Sequence, residues 1–150
     1  MRDQISQLME SREVDLLWVT GASNECPEVY YLTGGVSLSA AWIIIRPGSK
    51  PLLIHGPMER EAAAESGLVT IDFGRLGREQ IARRENDPLK VSLEMFVRLA
   101  EREGLKGRLA LHGVADPGET HHLLTMIEQR LPQIRVVRDR PPVFESARAT

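Results

Sequence analysis

The chain has 150 residues, of which 42% are hydrophobic and 27% are charged, and its formal net charge is −2. The length predicts one domain, and the near balance of charge argues against binding to nucleic acid or to an acidic membrane surface. Cys26 is the single cysteine, so an internal disulfide is excluded, and the polar N-terminus does not resemble a signal peptide. We therefore expect a cytoplasmic protein without a membrane-spanning helix.

The first half of the chain predicts a helix, a strand and then a strand hairpin. Apolar residues at helical spacing predict an amphipathic helix over 3–12, and the short apolar run 14–20 predicts a buried strand. Two further strands, 39–48 and 50–56, are joined by a Pro-Gly turn, a pair that favours a type II turn. These two strands are expected to form an antiparallel hairpin.

The second half predicts an alternation of helices and strands. Proline follows a capping aspartate at Asp87-Pro88 and at Asp116-Pro117, an arrangement typical of a helix N-terminus. The polar, arginine-rich stretch 74–86 predicts a loop that can include one helical turn. The other predicted elements are a helix that begins at Pro57 and ends at Gly67 and strands over 68–73, 107–113 and 133–137.

This order of elements defines the expected fold class. Alternating strands and helices form a mostly parallel sheet with helices on its faces, and the early hairpin makes the sheet mixed. We predict a three-layer α/β/α domain with five or six strands, in which the hairpin over 40–55 supplies the antiparallel strand.

Motifs of catalytic sites are mostly absent. No G-x-S-x-G, H-E-x-x-H, Walker A or G-x-G-x-x-G pattern occurs. Cys26 lies in a polar loop without a histidine nearby in sequence, which argues against a nucleophile. His55 and His112 each end a predicted strand and precede glycine. They could contact a ligand at the strand ends, but the favoured interpretation is a polar residue where the strand meets solvent.

Several segments carry a resemblance to a known family. Tyr31-Leu32-Thr33-Gly34 follows the first strand, two apolar strands match over Ile43–Gly48 and Pro51–His55, and an Ala- and Glu-rich helix comes next. Residues 101–113 match a further helix, turn and strand. In this order the chain resembles the N-terminal domain of the creatinase/prolidase/Xaa-Pro aminopeptidase family, which implies a ribonuclease-H-like fold.

The resemblance also implies roles for the Tyr-Leu-Thr-Gly motif and the loop behind it. Tyr30 or Tyr31 is expected to enter the core, and the glycines should let the chain turn sharply. The following loop is a candidate substrate-access loop that borders the active site of a partner subunit; the alternative is a solvated connection. Its residues are Gly35, Val36, Ser37, Leu38 and Ser39.

The resemblance implies that residues 1–140 are a noncatalytic domain and that 141–150 begin a linker to an absent C-terminal catalytic domain. Such a parent would be a homodimeric, proline-specific metallopeptidase with two divalent ions (Mn, Co or Zn) in the missing domain and proline-containing peptides as substrates. No metal or catalytic residue is expected in this segment, which should be inactive alone. Three alternatives are a stand-alone α/β binding or regulatory module, the N-terminal domain of a metal-independent creatinase-like hydrolase, and a small hydrolase using His55 or His112.

Overall fold

The computed structural model describes residues 2–113, 116–137 and 143–144. Helices and strands alternate through most of this part of the chain, as the sequence predicts. The elements, in chain order, are α1 Arg2–Ser11, β1 Leu16–Gly21, α2 Pro27–Leu32, β2 Ala41–Ile45, β3 Leu52–His55, a 3₁₀ helix Pro57–Glu59, α3 Arg60–Glu65, β4 Val69–Asp72, a 3₁₀ helix Phe73–Leu76, α4 Arg78–Arg84, α5 Pro88–Glu103, β5 Gly107–Gly113, α6 Pro117–Arg130 and β6 Ile134–Val136.

The strands form one six-stranded mixed sheet in the order β4-β3-β2-β1-β5-β6. Strand β2 is antiparallel to both of its neighbours, whereas the β1–β5, β3–β4 and β5–β6 pairs are parallel. The hairpin therefore supplies the antiparallel strand, as predicted. Its turn is closed by a hydrogen bond from Ser49 N to Arg46 O (3.1 Å), and Gly48 has the positive φ (76°) that a type II turn needs.

Helices cover both faces of the sheet and make the expected three layers. On one face, α4, α5 and α6 pack against alternate residues of the central strands, among them Trp18 and Ile44. On the other face, α1, α2 and α3 cover the intervening residues, such as Val19 and Ile43. All residues of β2 are buried, because a central strand with helices on both sides has no solvent-facing side.

An aromatic cluster fills the α4–α5 side of the core. The Trp18 ring stacks on Phe96 with centroids 4.6 Å apart, and Trp42 meets the edges of Trp18 (4.8 Å) and Phe73 (5.2 Å). The Trp18 indole N–H is buried without a partner among the described residues, which costs about 1–3 kcal/mol. Burying about 200 Å² of indole contributes about 5 kcal/mol, so the ring's burial outweighs this cost.

Helix starts follow the sequence signals, but two helices, α2 and α4, were not predicted. The Asp87 carboxylate accepts the Leu89 N–H (3.0 Å), and the Asp116 carboxylate accepts the Glu119 N–H (3.0 Å), so both capping assignments are confirmed. The prediction of a loop over 74–86 is wrong, because 78–84 form α4. Ile81 is fully buried and packs this short helix on the core, and a single apolar anchor leaves little periodicity in the sequence.

The predicted linker 141–150 lies mostly outside the described residues. Only Val143 and Phe144 of that stretch are described, and both are buried against the α1–α3 side of the core. The boundary at residue 140 stays a prediction. Within the described ranges, no helix has the length and apolar character to cross a membrane.

Candidate functional site

The candidate site residues predicted from the sequence lie along one edge of the sheet. Gly21 at the end of β1 lies opposite Ala41 at the start of β2, which lies opposite His55 at the end of β3. Asp72 ends β4 beside His55, and β5 ends at Gly113 beside β1. Because β2 is antiparallel, the loop that enters it arrives at the carboxyl ends of the neighbouring strands. These strand ends are where ligands bind in open α/β sheets.

The Tyr-Leu-Thr-Gly motif is the C-terminus of a short helix. In α2, Gly34 N donates to Tyr31 O (3.2 Å) and Gly35 N donates to Tyr30 O (2.8 Å). This pair of hydrogen bonds is a Schellman motif with Gly34 at the left-handed position, at φ 73°. The sharp turn expected of the glycines is confirmed. Thr33 is buried and its hydroxyl donates to Val29 O (2.8 Å), so the helix end is satisfied internally.

Tyr31 of the motif and Tyr30 before it do not enter the core, so that expectation is wrong. Tyr30 and Tyr31 are each 56% exposed, whereas Val29 is fully buried. On a helix of six residues one face alone reaches the core, and Val29 occupies it. The Tyr30 ring instead lies over Gly35, since a β-carbon added there would be 3.3 Å from the Tyr30 hydroxyl. Aromatic surface is therefore presented beside the loop.

The candidate access loop 35–39 is held by Ser23. Val36 and Leu38 are buried, while the residues between and beside them are exposed. The Ser23 hydroxyl donates to Val36 O (2.8 Å) and accepts the Leu38 N–H (2.8 Å), and Ser23 N donates to Leu38 O (2.9 Å). Ser37 therefore projects to solvent from a fixed backbone.

A second anchor holds the other end of the loop. The Glu59 carboxylate accepts the Ser39 N–H (2.7 Å) and the Ser39 hydroxyl (3.1 Å). Glu59 belongs to the 3₁₀ turn that follows β3, so this contact ties the loop to the neighbouring strand connection. A charged acceptor strengthens both hydrogen bonds. Sequence reasoning missed Ser23 and Glu59, since no local pattern signals contacts over 15 and 20 residues.

The two candidate histidines lie at this edge but not together. His55 is 3% exposed, and its Nδ1 lies 2.7 Å from Gly56 O. The favoured interpretation, a polar residue where the strand meets solvent, is therefore wrong for His55, because neighbouring residues bury its side chain. His112 is half-buried and meets the Phe144 ring edge-on at 5.5 Å.

His55 and His112 are also far apart across the sheet. Strands β3 and β5 are three positions apart in the sheet, which puts His55 and His112 at least about 14 Å apart at about 4.8 Å per strand. They cannot share one ligand ion. In the part of the chain that the structure describes, no three histidine, cysteine or acidic side chains come close enough to hold a metal.

Cys26 is placed as a core residue. Its thiol is 1% exposed, and burial is the main cause that raises its pKa, with the Glu28 carboxylate adding to the effect. A raised pKa lowers the thiolate fraction at neutral pH. Cys26 therefore packs at the N-terminus of α2 and is unsuited to nucleophilic chemistry.

The chain is similar to known proteins in structure. No protein-family model matches the chain, and no curated protein matches it in sequence. Two full-length peptidases of known structure are similar to it. X-Pro aminopeptidase from Thermotoga maritima MSB8 has a TM-score of 0.63 and 13% identity, over 98% of this chain and 35% of that one. Dipeptidase from Pyrococcus horikoshii OT3 has a TM-score of 0.59 and 15% identity, over 99% and 36%.

A separately solved domain matches from end to end. The N-terminal domain of Xaa-Pro dipeptidase from Lactobacillus brevis has a TM-score of 0.57 and 13% identity, over 96% of this chain and 98% of that one. The chain thus spans about a third of the length of the two full-length peptidases and nearly all of the isolated domain. It has the fold of the creatinase/prolidase N-terminal domain, as the resemblance in sequence implied.

Proposed function

We propose that this chain is the noncatalytic N-terminal domain of a proline-specific metallopeptidase, an Xaa-Pro aminopeptidase or dipeptidase. The observation that carries the proposal is the end-to-end match to an N-terminal domain of an Xaa-Pro dipeptidase, together with the match to about a third of full-length peptidases. The partners proposed for the chain are its own C-terminal catalytic domain, a second copy of the whole protein and proline-containing peptides.

The loop 35–39 gives this domain a part in substrate access. It is exposed at Gly35, Ser37 and Ser39, yet its backbone is fixed by hydrogen bonds to Ser23 and Glu59. A rigid, exposed loop between two strands suits a wall of a substrate path, because it loses little entropy when a peptide passes. In the proposed homodimer this loop borders the catalytic centre of the partner subunit.

The metal chemistry is proposed to reside outside this chain. Two divalent ions, of manganese, cobalt or zinc, would activate the water that attacks the peptide bond. The described residues do not fit such a centre, since His55 and His112 are separated by three strand spacings. In this proposal the chain contributes to the shape of the substrate path, through loop 35–39 and the exposed Tyr30 and Tyr31 beside it.

Two other functions fit the same fold. A stand-alone α/β binding or regulatory module would need no catalytic domain. An N-terminal domain of a creatinase-like hydrolase would serve an enzyme that uses no metal. The end-to-end match to a domain of an Xaa-Pro dipeptidase favours the peptidase.

The test compares the protein encoded by the complete gene with residues 1–150. Both are purified, stripped of metal, resupplied with Mn²⁺ or Co²⁺ and assayed for release of proline from Xaa-Pro peptides. We expect metal-dependent hydrolysis by the complete protein and none by residues 1–150. A reading frame that stops at Thr150, or a complete protein that cleaves no Xaa-Pro bond, would contradict the proposal.

A further inference from the structure

A cleft of about 410 Å³ lies on the α4–α5 side of the sheet, at the same edge as the loop. Trp42 and Phe73 form its floor, and their rings are in edge contact and mostly covered by the core beneath. Val91 and Met95 of α5 add an apolar wall. This volume and lining fall in the range of small-molecule sites, which combine apolar surface with a few polar groups.

Among the described residues, the polar side chains of the cleft have no hydrogen-bond or ion-pair partner. Arg78, Glu85, Asn86 and Ser92 line it, and no side-chain hydrogen bond or ion pair joins any of them to another described residue. The Arg78 guanidinium is held 5.6 Å from the Phe73 ring centroid instead. Two opposite charges without an ion-pair partner in the described part of the chain therefore flank an aromatic floor.

The spacing of Arg78 and Glu85 along the chain suits a short peptide. Arg78 and Glu85 are seven residues apart along α4 and its C-terminal cap, so their α-carbons are separated by two helical turns, or about 10 Å. They lie on the same side of the helix, as their shared place in the cleft shows. An extended peptide advances about 3.4 Å per residue, so three residues cover about 10 Å.

We propose that this cleft binds an apolar tripeptide with free termini. Its carboxylate pairs with Arg78, its ammonium group pairs with Glu85, and its side chains lie on the accessible part of Trp42 and on Val91. Arginine suits this role because its planar guanidinium matches a carboxylate with two parallel hydrogen bonds. The site is on the opposite face of the sheet from the buried residues of loop 35–39, and it is independent of the peptidase function proposed above.

The experiment uses ¹⁵N-labelled residues 1–150 and the tripeptide Ala-Phe-Ala, with binding followed by NMR through the indole N–H of Trp42. We expect saturable shifts that map to the cleft. Arg78→Gln and Glu85→Gln should each weaken binding about tenfold, because each removes a charge-assisted contact. The matched controls Arg83→Gln and Glu79→Gln lie on α4 outside the cleft and should bind as wild type.

Blocked peptides test the role of the termini. N-acetylation of Ala-Phe-Ala should weaken binding to wild type but not to Glu85→Gln, since the two changes remove the same ion pair. C-terminal amidation should behave likewise with Arg78→Gln. The proposal is overturned if no saturable shift occurs below about 10 mM, if blocked and free peptides bind equally, or if the control variants weaken binding as much as the cleft variants do.

Discussion

At the scale of single residues, loop 35–39 owes its shape to two side chains that lie outside it. Ser23 bonds to the backbone of Val36 and Leu38, and Glu59 bonds to Ser39. Each contact joins the loop to a different connection of the sheet. The loop is therefore preorganised by contacts that no short motif encodes.

Removing the Glu59 contact should loosen one end of the loop without unfolding the domain. In Glu59→Ala the Ser39 amide loses its acceptor, at about 0.5–1.5 kcal/mol, so its hydrogen exchange should speed up about two- to tenfold. The measurement is amide exchange by NMR, with the Leu38 amide, held by Ser23, as an internal reference. Glu61→Ala is the matched control on the adjoining helix. An unchanged Ser39 exchange rate in Glu59→Ala would show that Glu59 does not hold the loop.

At the scale of elements, the end of α2 sets the direction in which the loop leaves the helix. Gly34 is at φ 73° with nothing within 4 Å of an added β-carbon, so a substitution there changes backbone strain alone. Gly34→Ala should lower the free energy of unfolding by about 1 kcal/mol.

Urea denaturation provides the measurement. Gly34→Asn is the matched comparison and should cost less than Gly34→Ala, because asparagine tolerates the left-handed region better. If Gly34→Ala were as stable as wild type, the Schellman motif would not govern this helix end.

The sheet could be predicted from sequence because its strands are short apolar runs separated by strong turn and cap signals. Pro47-Gly48 and the aspartates at 87 and 116 fixed the boundaries of the hairpin and of two helices. Helices α2 and α4 were harder to predict from the sequence, because each is six or seven residues long and has one buried apolar residue, Val29 or Ile81. The burial of His55 and the exposure of the tyrosines depend on packing between elements, and the periodicity of the sequence does not predict that packing.

At the scale of the whole molecule, ion pairs away from the candidate site link stability to pH. The backbone N–H and guanidinium of Arg108 bond to Asp15 (2.8 and 3.1 Å) and lower its pKa from the ordinary 3.8. Arg130 bonds to Glu94 and lowers its pKa from the ordinary 4.5. Both carboxylates thus bind protons less readily in the folded state than in the unfolded state.

Acid should therefore destabilise the domain in a defined window. The contribution of these groups is complete above the unfolded pKa values and is lost as pH falls through the lower folded values. We expect the free energy of unfolding to decline from about pH 4.5 downward. Asp15→Asn should reduce that decline modestly, because the carboxylate is partly exposed and screened. Urea titrations from pH 7 to pH 3 provide the check; an identical slope in Asp15→Asn would show that Asp15 does not contribute.

The topology of the molecule places loop 35–39 at the carboxyl ends of the neighbouring strands, and the proposed role in substrate access depends on that loop. The most direct measurement is steady-state kinetics of the complete protein on Xaa-Pro tripeptides with Ser37→Trp, which fills the space in front of the loop. The matched control, Ser49→Trp, puts the same side chain in the exposed hairpin turn at the opposite end of β2. With folding and oligomeric state unchanged, we predict that Ser37→Trp raises KM about fivefold or more while Ser49→Trp leaves it at the wild-type value. Wild-type KM and kcat in Ser37→Trp would contradict a role for this domain in substrate access.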